Sequence, residues 1–349
     1  MRPSPAESLI GIRLQENWNV VQKLTKDPAT TGGFFSHGYI VEGQGGIRAY
    51  LKALDFSAAL RSPDPAEALQ GMTEAYNSER QLCSQCQKKS FDRVVRYLCD
   101  GKVLADPDDP NSIVQYIIFE LADGDVRLQL DRFTGFDIAW TLRALHHIAT
   151  GLKQLHSINI AHQDIKPSNI LVFQERVSKL ADLGRAASRN SHCPHEDFPI
   201  AGDRSYAPPE LLYGFVDPDW NRRRLGCDLY LLGSMVVFLF ARVNMTSLIF
   251  SHLSSDHRPE YHADGYNVVL PYMEKAFYES LEDFRNQLPN LLVSDVVDIV
   301  RQLCFPNPEK RGHPCNHFNS GSQYSLERYV TQFDLLARKA EIGIFGTSK

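Results

Sequence analysis

The stretch AHQDIKPSNILVF, residues 161–173, decides how the rest of the chain is interpreted. It places a histidine, an aspartate, a lysine and an asparagine in one polar segment, and the apolar run Ile170 to Phe173 follows directly. That run has the composition of a buried strand. Reactive polar groups beside such a strand are typical of a catalytic loop, but an ordinary surface loop before a strand has the same pattern. The stretch alone leaves both interpretations open.

The composition describes a globular protein with a substantial core. The chain has 349 residues, of which 43% are hydrophobic and 23% are charged, enough for one large domain or two lobes. The net charge is −5 and no long run carries a single sign. Neither a nucleic acid nor an anionic membrane is therefore expected as the main partner.

Two segments bear on location. The N-terminal sequence MRPSPAESLIGIRLQENW lacks the apolar core of a secretory signal. The longest apolar stretch, residues 229–241, is shorter than the ~18 residues typical of a membrane span, so we predict a buried helix there. Seven scattered cysteines are expected to be free thiols in a reducing, cytoplasmic environment.

The element pattern changes once along the chain. The first ~120 residues favour strands and one main helix; the later part favours helices. We predict an α+β fold with a β-rich lobe, a short connector and an α-rich lobe. Strands are predicted at 17–24, 38–42, 47–55, 93–98 and 114–119, and helices at 65–86, 136–156, 229–241, 271–286, 293–304 and 325–340.

Four dispersed polar residues suggest phosphoryl transfer, which needs a carboxylate for the hydroxyl, ligands for a metal and a cation on the phosphates. Asp164 and Asn169 lie five apart on one short loop. Asp182 follows at a strand-to-loop bend, where its carboxylate is a suitable magnesium ligand. Lys52, on a strand with apolar neighbours, needs an anionic partner.

Glu79, on the helix after that strand, is the partner we favour for Lys52. Glu67 and Glu74 lie on the same helix and compete for this role. Glu79 is preferred because it lies near the helix end, a short turn before the next strand.

These segments, taken together and in order, resemble the motifs of protein kinases. HQDIKPSN resembles the catalytic loop H-R-D-L-K-x-x-N, and DLG (182–184) resembles D-F-G. AYLK (49–52) resembles V-A-I-K, and YAPPELL (206–212) resembles the A-P-E segment. The resemblance covers about residues 18–311, and it includes CDLYLLG at 227–233 and an arginine, Arg311, expected to pair with Glu210.

The resemblance implies a two-lobed, kinase-like fold that uses ATP and Mg²⁺. The implied divisions are an N-lobe at 14–119, a hinge at 120–124, a C-lobe at 125–315, and a C-terminal helix and tail at 316–349. It also suggests a eukaryotic-like serine/threonine kinase of the soluble, stand-alone bacterial type. The implied partner is a protein substrate with a serine or threonine, and the sequence indicates no oligomeric state.

The resemblance also implies a role for individual residues. Asp164 would accept or orient the substrate hydroxyl, and Lys166 would neutralise charge on the transferring phosphoryl group. Asn169 and Asp182 would hold magnesium, while Lys52, held by Glu79, would bind the α- and β-phosphates. A lysine at position 166 resembles serine/threonine kinases rather than tyrosine kinases.

Further positions are implied for the nucleotide. The backbone of Glu120 to Ala122 would meet adenine, with Phe119 at the back of that pocket, and Asp125 is a candidate for a ribose contact. The phosphate-covering loop is best matched by residues 33–38, with Gly33 and Gly38 at its ends, although Phe35 stands where the family has its middle glycine.

Two other residues depart from the family pattern. Gln163 stands where kinases that are regulated by loop phosphorylation carry an arginine, and a glutamine cannot receive a phosphate by charge-assisted hydrogen bonds. We therefore predict activity without phosphorylation between Asp182 and Glu210. Asp203 replaces the usual threonine, and we expect it to pair with Lys166.

Two clusters resemble metal sites but are not expected to be so. CSQC (83–86) has ligand-like spacing without a second pair, and SHCPHED (191–197) falls in the presumed activation segment. Two alternatives to a protein kinase stay open: a pseudokinase that binds partners, and a small-molecule phosphotransferase of the aminoglycoside or choline kinase kind.

Overall fold

Five antiparallel strands form the sheet of the first unit of this computed structural model, which describes residues 3–25, 36–260, 265–318 and 323–344. The strand order is β1-β2-β3-β5-β4. The strands are β1 (Asn19–Lys23), β2 (Ser36–Glu42), β3 (Arg48–Leu54), β4 (Tyr97–Leu104) and β5 (Ile113–Glu120). The first unit comprises Met1–Gly124 with Ala181–Gly184, and the second comprises Asp125–Leu180 with Arg185–Lys349.

Strand β3 shows how the sequence sorts its side chains. Ala49, Leu51 and Ala53 are fully buried on one face of the sheet, and the intervening Tyr50 and Lys52 point to the other face because side chains alternate along a strand. Lys52 pairs with Gly38 on β2 and with Ile117 on β5. The lysine therefore lies on a central strand.

The apolar face of this sheet is covered by the N-terminal segment. Ala6 and Leu9 belong to the same core cluster as Val41 and Leu51, and the Tyr39 hydroxyl donates a hydrogen bond to the Ala6 carbonyl at 2.7 Å. The core of this unit thus begins before residue 14, where the sequence placed the start of the N-lobe.

Helix α1 (Pro65–Lys88) lies on the side of the sheet that carries Lys52. Asp64 caps its first turn by accepting a hydrogen bond from the Glu67 amide at 3.1 Å, and Pro65 occupies the first helical position, where a missing N–H costs nothing. Its buried residues recur at helical spacing: Tyr76, Glu79, Leu82, Cys83 and Cys86.

The second unit is mainly helical. Its helices are α2 (Val126–Arg132), α3 (Ile138–His156), α4 (Pro209–Leu212), α5 (Gly226–Ala241), α6 (Met245–His252), α7 (Tyr266–Arg285), α8 (Val293–Leu303) and α9 (Glu327–Glu341). Short strands complete it: β6 (Gly124–Asp125), β7 (Ile160–Ala161), β8 (Ile170–Phe173), β9 (Val177–Leu180) and β10 (Ala187–Ser188). Strands β6, β8 and β9 form one small sheet, and β7 pairs with β10. The β-rich and helical units confirm the predicted α+β class with a β-rich lobe and an α-rich lobe.

Two predicted elements differ from the structure. The strand predicted at 93–98 runs from Tyr97 to Leu104 and continues through Gly101, which provides space for Tyr116: a Cβ there would lie 2.4 Å from the Tyr116 hydroxyl. The helix predicted from Pro271 begins at Tyr266, so this proline lies in the second turn rather than at the start.

Helix α5 is the core helix of the second unit. Together with the π-helical turn Asn221–Leu225 it forms a run of 21 residues, Asn221–Ala241, longer than the apolar stretch that the sequence showed. In the part of the chain that the structure describes, this is the one helix whose length and composition would suit a membrane span. However, 83% of its most apolar window is buried inside the protein, as in the core helix of a soluble domain.

Candidate active site

The polar residues expected to act on phosphate fall into two groups, one in each unit. In the first unit, Lys52, Glu79 and Asp182 form what we call the lysine cluster. The Lys52 Nζ lies 2.8 Å and 2.9 Å from the two Glu79 carboxylate oxygens and 3.1 Å from Asp182 Oδ1. The structure thus brings Lys52 to Glu79 and not to the competing Glu67 or Glu74.

The electrostatics of the lysine cluster keep the amine charged. Burial alone would lower the pKa of Lys52, but the charges of Asp182 and Glu79 raise it far above its usual value. The Glu79 carboxyl is itself 7% exposed, and burial raises its pKa although Lys52 opposes this. Asp182, whose side chain is 43% exposed, is the carboxylate of this cluster that solvent or a ligand reaches.

Two glycines border the lysine cluster. A Cβ added to Gly184 would lie 3.1 Å from Asp182 Oδ1 and 3.4 Å from Glu79 Oε2, so a larger residue there would have to displace the Asp182 carboxylate slightly. Asp182 itself has φ 62°, a left-handed conformation that costs free energy for a non-glycine residue. Gly38 lies opposite Lys52 on β2, while Gly33 lies outside the described residues.

In the second unit, residues 162–169 of the opening stretch form a buried loop between β7 and β8. Asn169 donates hydrogen bonds to the Asp164 carbonyl at 2.8 Å and to Asp164 Oδ2 at 2.9 Å. The Asp203 amide donates to Asp164 Oδ1 at 2.8 Å. Asp164 is thereby fixed on both carboxylate oxygens, as positioning of a substrate hydroxyl requires.

Lys166 lies between two carboxylates. Its Nζ is 3.2 Å from Asp164 Oδ2 and 3.3 Å from Asp203 Oδ2. The expected contact of Asp203 with Lys166 is therefore present. Gly202 makes this arrangement possible, because a Cβ there would lie 2.3 Å from the Gln163 carbonyl oxygen and 2.8 Å from Asp164 Oδ1. The sequence reasoning had assigned no role to Gly202.

The loop 162–169 is anchored by Asp228, whose side chain is fully buried near the start of α5. Its carboxylate accepts hydrogen bonds from the backbone amides of His162 and Gln163 at 2.7 Å and 2.8 Å. The His156 Nε2 and Gln163 Nε2 donate to the same carboxylate at 2.8 Å and 3.1 Å. We call Asp228 and these partners, with Arg224, the loop network.

Arg224 was missed in the sequence, because it stands in the run Arg222–Arg223–Arg224 with nothing to single it out. It is 1% exposed and lies on the π-helical turn before α5. Its guanidinium donates to Gln163 Oε1 at 3.2 Å and to the Glu196 carbonyl. Burial and the neighbouring Arg223 lower its pKa.

The expected pair between Glu210 and Arg311 is present in the second unit. The guanidinium of Arg311 makes a bidentate contact with the Glu210 carboxylate at 2.9 Å and 3.0 Å. It also donates to the carbonyls of Gly226 and Phe305. These bonds compensate the burial of a fully enclosed arginine and fix α4 against the start of α5.

The residues expected near a nucleotide base have local structural partners. Glu120 ends β5, and its Oε1 accepts a hydrogen bond from the Arg96 amide at 2.7 Å. Asp125 caps α2 by accepting from the Arg127 and Leu128 amides and also pairs with the Arg127 guanidinium at 2.8 Å. Ala122 lies in the segment between these two residues, and Phe119 packs beside Tyr76 and Ile117.

The residues of the two clusters that resembled metal sites lie in different local surroundings. Cys83 and Cys86 are buried free thiols on α1, and burial raises the pKa of Cys86 to about 12. His195 lies beside the guanidinium of Arg185 at 3.1 Å. Within the residues that the structure describes, no group of three or more histidine, cysteine, aspartate or glutamate side chains is arranged to hold a metal ion.

Comparison with known families gives one match over most of the chain. The family described as "Protein kinase domain" matches residues 57–320. The matched segment includes Glu79, the loop 161–173, Asp182 and Arg311, and it begins after Lys52.

Several curated proteins are similar over a little more than half of the chain. Extracellular signal-regulated kinase 1 of Dictyostelium discoideum is 24% identical over 217 residues, 58% of this chain and 40% of that protein. Cyclin-dependent kinase-like 2 of Mus musculus is 28% identical over 212 residues, 56% of this chain and 35% of that protein. Serine/threonine-protein kinase PTK2 of Candida glabrata is 27% identical over 229 residues, 56% of this chain and 27% of that protein. The matches thus span less than half the length of these relatives.

Proposed function

Since this chain belongs to the protein kinase family, we propose that it transfers the γ-phosphate of ATP to a serine or threonine of a protein substrate. The observation that carries this proposal is the fixed carboxylate of Asp164, which Asn169 and the Asp203 amide hold on both oxygens. Asp164 would orient the attacking hydroxyl and accept its proton, and Lys166 would balance charge on the phosphoryl group. Lys166 also supports serine/threonine specificity, through the family resemblance and the name of one relative.

The lysine cluster supports the nucleotide side of the proposal. Lys52 is held charged by two carboxylates, as a cation for the α- and β-phosphates must be. The Asp182 carboxylate and the Asn169 amide oxygen are hard donors of the kind that magnesium prefers. Each would help to hold Mg²⁺, which supplies charge neutralisation on the phosphates when bound.

We also propose that activity does not require phosphorylation of the segment between Asp182 and Glu210. Gln163 replaces the arginine that would receive a phosphate, and its side chain is bound to Arg224 and Asp228. Arg224 in turn holds the segment through the Glu196 carbonyl. The Arg224 guanidinium therefore links the loop at Gln163 to this segment without a phosphate.

The cell compartment and the origin are expectations of the same kind. Seven free cysteines, six of them buried, support a reducing compartment such as the cytoplasm. The bacterial origin expected from the sequence stays a prediction.

A labelling assay tests the proposed activity. The purified chain is incubated with γ-labelled ATP and Mg²⁺, with and without a generic protein substrate, beside Asp164→Ala. Label on protein serine or threonine that Asp164→Ala loses by about 10²-fold or more supports the proposal. Asp131→Ala, a change at a 73% exposed aspartate, is the matched control and should keep the activity.

Other outcomes identify the alternatives. Label only on small molecules would favour a small-molecule phosphotransferase, and no label would favour a pseudokinase. The second proposal is tested by treating the active protein with a phosphatase, with mass spectrometry to verify dephosphorylation. Loss of activity after that treatment would refute independence from phosphorylation while leaving the kinase activity established.

A further inference from the structure

Tyr50 is the residue of β3 that departs most from the resemblance. In AYLK it occupies the place of the alanine of V-A-I-K. It lies two residues before Lys52, and alternation along the strand puts both side chains on the same face of the sheet. An aromatic ring therefore stands next to the lysine that is proposed to bind phosphates.

The ring of Tyr50 leans along the sheet onto Gly38. A Cβ added to Gly38 would lie 2.9 Å from Tyr50 Cε2 and 3.0 Å from its hydroxyl oxygen. Gly38 pairs with Lys52, and Tyr50 pairs with Ile40 on the same strand as Gly38. The ring thus covers the backbone of β2 at the level of Lys52, using the space that the missing side chain of Gly38 leaves open.

The charges of all three residues of the lysine cluster act on the Tyr50 phenol. Burial raises the pKa of the Tyr50 phenol; Lys52 lowers it, whereas Asp182 and Glu79 raise it further. The phenol is therefore uncharged at neutral pH and offers no charge to balance Lys52. Close to three charged groups, the ring supplies bulk rather than an ionic partner.

This placement conflicts with a phosphate chain at the same position. Backbone amides bind phosphates only where nothing intervenes, which is why glycine is favoured there. We propose that the Tyr50 ring covers the nucleotide-binding face of the sheet and must leave Gly38 before a nucleoside triphosphate reaches Lys52. The inference rests on the proposed function, since it takes that face as the nucleotide site.

The energetic consequence is a lower apparent affinity. When only a fraction of molecules is competent to bind, the apparent Kd rises by the inverse of that fraction. Removing the ring removes this factor, whereas removing the hydroxyl alone keeps most of the bulk. Tyr50→Ala and Tyr50→Phe therefore separate the ring from its polar group.

The test is a calorimetric titration of the full chain with ATP in the presence of Mg²⁺, which gives the Kd of ATP. Tyr50→Ala is expected to bind about tenfold more tightly than the unmodified protein, and Tyr50→Phe to bind like it. Tyr50→Val is a second variant, because a β-branched residue suits the strand if alanine fails to fold. Arg48→Ala, at an exposed position on the same face of β3, is the control and should leave the Kd unchanged.

The outcomes separate this inference from the function on which it rests. Equal or weaker binding by Tyr50→Ala and Tyr50→Val, with ATP still bound by the unmodified protein, overturns the cover and leaves the proposed function standing. Weaker binding would identify the ring as a stacking surface for the base instead. If no folded variant binds ATP, the proposed function fails, and the inference fails with it.

Discussion

The lysine cluster and the loop network hold their functional residues by opposite means. Lys52 is held by ionic contacts with Glu79 and Asp182, and one of its partners is substantially exposed. The loop 162–169 is held by hydrogen bonds that converge on the fully buried Asp228, two of them from backbone amides. The first arrangement depends on charge and can exchange a partner for a ligand, whereas the second depends on geometry and has no such freedom.

The largest effect is expected from Asp228→Ala, which tests the geometric half of this comparison. The change leaves two backbone amides and the His156 side chain without this acceptor, and the Gln163 Nε2 keeps only the Arg224 carbonyl. We expect a loss of about 3–5 kcal/mol in the free energy of unfolding, measured by equilibrium urea denaturation. Asp298→Ala removes only an exposed contact with Arg301 and should cost little; an equal loss in the two variants would contradict the role of the loop network.

The next effect tests the ionic half of the comparison through pH. In Lys52→Met, Glu79 stays buried near Asp182 without its cation, so its pKa in the folded state rises further above that in the unfolded state. The folded state then binds more protons than the unfolded state, and stability increases as pH falls. We expect a deficit of about 1–3 kcal/mol at pH 8 that shrinks towards pH 5, measured by denaturation at both values.

The matched control for Lys52 is Lys52→Met combined with Glu79→Gln. This pair removes the titrating carboxyl and should show the same deficit at pH 8 and pH 5. A single variant whose deficit is also independent of pH would show that Glu79 is not held by charge.

The smallest effect concerns His195 in the second unit. Its contact with Arg185 is made by a neutral imidazole, and it therefore extends the comparison to a contact that is neither an ion pair nor part of the loop network. Burial and the neighbouring Arg185 lower the pKa of this histidine to about 4. Between about pH 6.5 and pH 4 the unfolded state binds the proton more readily than the folded state does, so stability decreases as the pH is lowered. His195→Asn should remove this part of the acid sensitivity, which amounts to under about 1 kcal/mol between pH 7 and pH 6, in acid titrations of unfolding. His192→Asn, at a side chain that is 72% exposed, should not.

The sequence predicted residues whose partners are local or belong to a motif. The Lys52–Glu79 contact followed from a strand lysine and a helix, and the Lys166–Asp203 contact followed from one departure from the family pattern. Arg224 could not be found in this way, because its contact with Gln163 spans 61 residues and depends on the π-helical turn before α5. The packing of Ala6 and Leu9 on the sheet was missed for the same reason, as tertiary contact rather than periodicity fixes it.

Tyr50 shows the opposite limit. The tyrosine in the alanine position of the motif is visible in the sequence, but only the three-dimensional structure shows that its ring lies against Gly38. Rotamer choice on a sheet face depends on the neighbouring strand. Comparison with a motif therefore identifies which residue differs from the family, but it does not show where the side chain of that residue lies.

The buried thiols of α1 give the Lys52–Glu79 contact a chemical reporter. Cys83 lies one turn after Glu79, is 5% exposed, and has a pKa raised by burial and by the Glu79 charge. A rotation of α1 that withdrew Glu79 from Lys52 would carry this sulfur towards solvent and towards its ordinary acidity. The rate at which an alkylating reagent consumes Cys83, with the exposed Cys315 as an internal standard, would therefore measure how often the contact opens.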